Sequence, residues 1–215
     1  MKVSALCVVL CMAGFASLAH AQETGIPAGW RWAPDRSGEA AAADSALRFD
    51  HMPPGWHITS GPAGLLYPPA ERAAGLFSLV ADFVVFPETT ESGFGIFLGG
   101  AELEGEAATY LAALLRRDGA VSVVRRTGGA ETVLVPWTTN AAIKPHPGEG
   151  VITNRLRVNA STDSLRVFVN DSSVARVPLG SAATDGHFGF RVGRRVNLHL
   201  TILDHIRHLA PARSR

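Results

Sequence analysis

Four side chains in this 215-residue chain have the chemistry to hold a sugar. His57 in "GWHITS", Tyr110 in "TYLAALLRR", Arg191 in "HFGFRV" and His199 in "VNLHLTILDHI" offer imidazole and guanidinium donors and one aromatic ring. Donors of this kind orient hydroxyl groups, and a ring supplies a stacking surface. The plainer reading of the same residues is a solvated sheet face with local hydrogen bonds. Glycoside hydrolysis would need two carboxyl groups, one to protonate the leaving oxygen and one to attack or activate water. The densest acidic stretch is "GGAELEGEAA", with Glu102, Glu104 and Glu106 at alternate positions. Glu102 and Glu104 are the acidic candidates, and alternate spacing could also make a cation site, against the reading of a solvated loop among glycines. The segment "HLTILDHIRH" gathers His199, Asp204, His205 and His208. A strand would turn Asp204 and His205 to opposite faces, and no recognised ligand spacing is present, so no metal site is assigned. There is no Gly-x-Ser-x-Gly elbow and no phosphate-binding glycine loop. The catalytic residues are unknown from sequence, and no cofactor is implied, with a structural cation left open.

The elements that must position these residues are strands. From Ala46 onward the chain breaks into short β-rich runs separated by turn residues, about a dozen in all, as in a double-layered sandwich or barrel. In "NRLRVNA" and "SLRVFVN", Leu156 and Val158, then Leu165, Val167 and Val169, alternate with polar residues, so one face is core and the other polar. The same alternation turns His57, Arg191 and His199 away from the core and predicts that they share a face, with Trp56 as a core anchor. It also makes Val196, Leu198, Leu200 and Ile202 one core stripe. In "GFGIFLGG" it leaves Gly95 and Gly99 on the outer side, where they would make room for a ligand. The run "GEAATYLAALLRR" has helical spacing, but the Asp118-Gly119 dipeptide that follows favours a two-residue hairpin turn and hence a strand. Gly128-Gly129 and "NASTDS" mark further hairpins.

The first 21 residues have the form of an export signal: Lys2, an apolar run, and Ala19 and Ala21 before a cut ahead of Gln22. The apolar run is shorter than the roughly 20 residues that span a bilayer. Both cysteines, Cys7 and Cys11, leave with it, so the mature chain has no disulfide, catalytic thiolate or cysteine-bound zinc. Loss of Lys2 leaves 19 basic against 19 acidic side chains, which gives no electrostatic footprint for nucleic acid or an anionic membrane. Residues 22–45 read as an irregular leader, in which Trp30 and Trp32 are either a hydrophobic plug or an exposed contact surface. Residues 46–208 read as one β domain and 209–215 as a tail.

The order "GWHITSGPAGLLY", "GLFSLVADF", "GFGIFLGG", "YLAALLRRDG", "VLVPWT", "NRLRVNAS", "LRVFVND" and "DGHFGFRVGRRVNLHL" resembles the concanavalin A-like jelly-roll proteins. The resemblance spans Phe49 to Ile206. Within that superfamily it is similar to bacterial exported domains of the 3-keto-disaccharide hydrolase type, and more distantly to laminin G-like domains. It implies a jelly-roll sandwich of two curved antiparallel sheets whose concave face holds a sugar. Glucanases of this fold carry Glu-x-Asp-x-x-Glu on one strand, and no such string occurs here. The expectation is an exported, periplasmic or extracellular domain that recognises carbohydrate or envelope glycan. The alternatives are cleavage of a 3-keto-disaccharide or related glycoside, and a non-catalytic structural or protein-binding role.

Overall fold

The computed structural model describes residues 25–35, 47–161, 163–179 and 184–208. The export signal, residues 36–45 of the leader and the tail lie outside the described residues. Fifteen strands are described: β1 Arg31–Pro34, β2 Arg48–His51, β3 Trp56–Thr59, β4 Gly64–Tyr67, β5 Phe77–Val85, β6 Phe94–Ala101, β7 Thr109–Leu115 and β8 Ala120–Thr127, then β9 Ala130–Thr139, β10 Ile152–Ala160, β11 Ser164–Val169, β12 Ser172–Pro178, β13 His187–Val192, β14 Asn197–Leu200 and β15 Asp204–Arg207. They form an antiparallel seven-stranded sheet, β1-β4-β13-β6-β7-β8-β9, and an eight-stranded sheet, β12-β11-β10-β5-β14-β3-β2, with β15 also on β5. No helix among the described residues is long and apolar enough to cross a membrane.

Period-two alternation builds the core. Leu156, Val158, Leu165, Val167 and Val169 are fully buried and share one cluster with Phe83 of their own sheet and with Phe94, Phe188 and Phe190 of the facing sheet. The Ala- and Leu-rich run at 109–115 is strand β7, because neighbours β6 and β8 pair it on both sides and bury both its faces. Its turn differs from the expectation: Arg116 N–H donates to Ala120 O, so three residues close the loop, with Gly119 at φ 84°. The Gly128-Gly129 hairpin is the two-residue turn that the dipeptide demands, between paired Thr127 and Ala130.

Three expectations need correction. Residues 31–34 of the leader are a strand, paired with β4, and both leader tryptophans pack on the core. Trp30 stacks on Phe190 at 5.8 Å and Trp32 meets Phe49 edge-on, so neither is a free contact surface. Ile202 is exposed, because the run "VNLHLTILDHI" is two strands. Leu200 pairs with Phe83 and Asp204 with Val80, so three intervening residues oppose two, and Thr201 fills the irregularity by bonding the Asp82 backbone. Finally, the space above Gly95 is taken by protein: a Cβ there would lie 2.0 Å from Ala113 O. Glycine lets adjacent backbones approach and does not leave a ligand vacancy.

The chain changes sheets at the Gly-Pro corner. β3 belongs to the eight-stranded sheet and β4 to the seven-stranded one, and β13 to β14 makes the reverse crossing. Ser60, 3% exposed, staples the two crossings: its hydroxyl donates to Gly193 O at 2.7 Å and accepts from Val196 N–H, while its own N–H donates to Val196 O. Ser60→Ala strips partners from two buried backbone groups and is expected to cost about 2 kcal/mol in urea denaturation; an unchanged midpoint would show that the corners hold without the hydroxyl.

His205 turns inward, against Phe77 and Phe188, with Nε2 buried and without a partner. Burial, then the Arg207 charge, pushes its pKa below the ordinary 6.5. The folded state therefore binds fewer protons than the unfolded state once the pH falls below about 6.5. Its contribution is intact above that value and is lost as the pH drops toward the lowered folded pKa. The unfolding midpoint of His205→Gln should fall less between pH 7.5 and pH 5 than that of the unaltered chain.

Candidate functional site

The structure divides the four sugar-binding candidates into two pairs. His57 on β3 and His199 on β14 are direct cross-strand partners on the outer face of the eight-stranded sheet. Tyr110 on β7 and Arg191 on β13 lie on the outer face of the seven-stranded sheet. The expectation that His57, Arg191 and His199 share one face is therefore corrected, and the reason is the corner at Ser60. Alternation places each side chain correctly outside its own sheet, but the sheet changes between His57 and Arg191.

On the eight-stranded side, His57 packs edge-on against Phe86 with centroids 4.7 Å apart. The His199 pKa is lowered, first by burial and then by the neighbouring His57, while a hydrogen bond to the Pro54 backbone pulls the other way. Both rings are half-buried, and the lowered pKa favours the neutral form of His199. No group of three or more histidine, cysteine or carboxylate side chains suited to a metal ion occurs among the described residues.

On the seven-stranded side, the register gives a continuous row Ala33, Leu65, Arg191, Gly95, Leu114, Ser122 across six strands. A neighbouring row runs Phe97, Ala112, Val124. This outer face carries a second buried apolar cluster that includes Tyr67, Phe97, Tyr110, Ala112 and Leu114. Leu103 and Ala108 of the β6–β7 connection belong to the same cluster. Arg191 spans the row: it donates to Gly64 O and Val192 O and pairs with Asp35 at 2.6 Å, the two side chains being 14% and 22% exposed. Tyr110 lies close enough to feel Arg191, Asp35 and Arg126, and burial pushes its hydroxyl pKa up, so it stays neutral. The crevice beside Asp35, Tyr110 and Arg126 has about 10 Å³ of water-accessible space, room for one water and not for a sugar ring. Arg191 and Tyr110 thus serve each other and the chain.

Of the acidic candidates, Glu104 is engaged. Glu104 reaches from the β6–β7 loop to an ion pair with Arg31 and accepts a long bond from the Tyr67 hydroxyl. Glu102 sits in the same loop at φ 49°.

Sequence reasoning missed the exposed end of this face. Trp137 on β9 is 39% exposed, with the Arg116 guanidinium 4.9 Å from its ring centre. Its ring edge occupies the place that a Gly93 Cβ would take and reaches Leu114, so the indole lies across the sheet. Arg116 is itself held by Asp118 and Glu91, and Asp118 is kept ionised below its usual range first by that Arg116 bond. Next to this group an open cleft of about 290 Å³ is lined by Asp118, Gly119, Thr139, Asn140, Ala141, Ile143 and Pro145. Thr139 and Trp137, two residues apart on β9, share a strand face. The sequence signal was Pro136, which a paired central strand excludes, so the tryptophan beside it had to sit on a sheet edge.

Arg191→Met strands the Asp35 carboxylate and two carbonyl oxygens and should cost about 3 kcal/mol of stability in urea denaturation. A loss of only a few tenths would mean that Asp35 is solvated in the folded state.

No family model and no curated protein matches this sequence. Solved structures do match. The carbohydrate binding module CBM66 from Bacillus subtilis superposes with a TM-score of 0.61 at 12% identity, over 83% of this chain and 96% of that one. The VIP36 exoplasmic/lumenal domain in its Ca2+/Man-bound form gives 0.61 at 12% identity over 86% of each chain. A Bacteroides ovatus mixed-linkage glucan GH16 protein gives 0.57 at 8% identity, over 82% and 94%. The two antiparallel sheets, their order and this likeness together identify the chain as a jelly-roll sandwich of the concanavalin A-like fold.

Proposed function

We propose that the chain is an exported carbohydrate-recognising domain whose sugar site lies at the β9 end of the seven-stranded sheet. The observation that carries this reading is the half-exposed Trp137 under Arg116, beside an open cleft of sugar-sized volume. An indole offers a flat apolar face to sugar C–H groups, and Arg116, Asp118, Thr139 and Asn140 supply directional donors and acceptors around it. Asp118 is ionised, so it accepts hydrogen bonds from hydroxyls. The likeness to a carbohydrate binding module and to a mannose-bound lumenal domain supports the same ligand class. Hydrolysis of a 3-keto-disaccharide has less support, because Glu104 is held by Arg31 and the histidine pair lies on the opposite sheet. Placement outside the cytoplasm rests on residues 1–21, and an exported product beginning at Gln22 is its direct check.

The test is glycan-array binding followed by titration of the best neutral ligand. Trp137→Ala should weaken binding by about tenfold or more, the scale of one lost stacking contact of about 1.4 kcal/mol. Tyr110→Phe should leave it unchanged, because that ring is buried. Absence of any glycan binding, or wild-type affinity in Trp137→Ala, would sink the assignment.

A further inference from the structure

The outer face of the eight-stranded sheet carries a group of cations that form no ion pair among the described residues, although Asp163 lies near enough to Arg176 to feel its charge. Arg166 on β11 and Arg176 on β12 are direct cross-strand partners, both exposed. Arg157 on β10 pairs with Phe168, two residues from Arg166 on the same face, and lays its guanidinium 4.2 Å above the Phe168 ring. Among the described residues, no carboxylate forms an ion pair with any of the three. The neighbouring acids are occupied. Asp82 holds Arg155 in a two-point bridge, and Asp163 accepts from the Ser161 and Ser164 hydroxyls in the β10–β11 turn. Like charges directly opposite on adjacent strands destabilise a sheet, and side chains there stand about 5 Å apart, with diagonal neighbours at about 7–8 Å. The chain therefore keeps three guanidinium groups within reach of one another at a cost to its own stability.

We propose that Arg157, Arg166 and Arg176 form a binding site for the anionic substituents, sulfate ester or uronate carboxylate, of an acidic polysaccharide. Guanidinium forks match planar or tetrahedral oxyanions at two points each, and an anion between Arg166 and Arg176 removes their repulsion. The flanking residues fit a sugar chain. Asn159 pairs with Arg166 in the register and lies on the same face, its Oδ1 accepting from Ser78 while its amide N–H groups remain donors. Phe168 adds a half-buried apolar surface. The strand surface is extended, which suits a polymer with repeating charges. The inference is independent of the Trp137 site, which lies on the other sheet and would take neutral sugar.

The probe is dextran sulfate against unmodified dextran, which share a backbone and differ in charge. The full chain should be retained on dextran sulfate and not on dextran, with retention falling as salt rises. Arg166→Gln with Arg176→Gln should weaken retention by about tenfold or more, the effect of two lost guanidinium contacts. Arg72→Gln, the loss of one arginine elsewhere, should change it by less than about twofold. The double variant should unfold at the same or a higher urea concentration, because it loses a repulsion. Unchanged retention in the double variant, an equal loss in Arg72→Gln, or a lower unfolding midpoint would overturn the site. Binding to phosphatidylserine vesicles without retention on dextran sulfate would assign the cations to a membrane surface and overturn the polysaccharide.

Discussion

The Ser60 hydroxyl is the pivot of the architecture. It sits where the chain leaves the eight-stranded sheet and beside the point where it returns, and it bonds backbone groups of the return crossing as both donor and acceptor. A sandwich whose strands switch sheets at two adjacent corners needs the buried backbone groups of those corners satisfied, since unpaired ones cost as much as a lost hydrogen bond. Everything about the placement of chemistry follows from that crossing. Trp56, His57 and His199 go to one sheet, Leu65 and Arg191 to the other, although "GWHITS" and "GLLY" are only a few residues apart.

The two outer faces consequently have different characters. The seven-stranded sheet covers part of its own outer face with Leu103 and Ala108 and clamps it with the Arg191–Asp35 pair, so that Tyr110 is buried, while Trp137 at the β9 end is partly exposed. The clamp joins residues 156 positions apart and secures β1, the edge strand of the sheet, through the residue that follows it. The eight-stranded sheet leaves its face polar and exposed, with arginines on β10, β11 and β12 and a histidine pair across β3 and β14. One face thus supplies an aromatic and a cleft, the other supplies charge. A near-neutral net charge conceals this division, because Asp35, Asp82, Asp118 and Glu104 each pair with an arginine near them while Arg157, Arg166 and Arg176 form no ion pair among the described residues.

Glycine and proline mark where sequence reasoning succeeded and where it misled. Gly128-Gly129 was legible as a tight turn because the dipeptide has few alternatives. Gly95 was read as ligand space, yet the missing side chain serves the approach of the Ala113 carbonyl, and nothing in one strand reveals how close its neighbour comes. Pro136 had the opposite fate: it marks an edge strand, and with it an exposed Trp137, but the signal went unread.

The amino-acid sequence by itself determined the all-β class, the inward stripe of each strand, and the positions of most turns. These depend on side-chain period and on local backbone preference, which are properties of a few consecutive residues. It also determined that Arg191, His57 and His199 point out of the core. Only the tertiary structure decided which of them meet. Strand alternation says which side of a sheet a residue takes, but not which sheet the strand joins, and the partners of Arg191 and Trp137 come from Asp35, Gly93 and Arg116 on other strands and loops. Pairing across such distances is set by the corners and the shared core, and no local pattern encodes it.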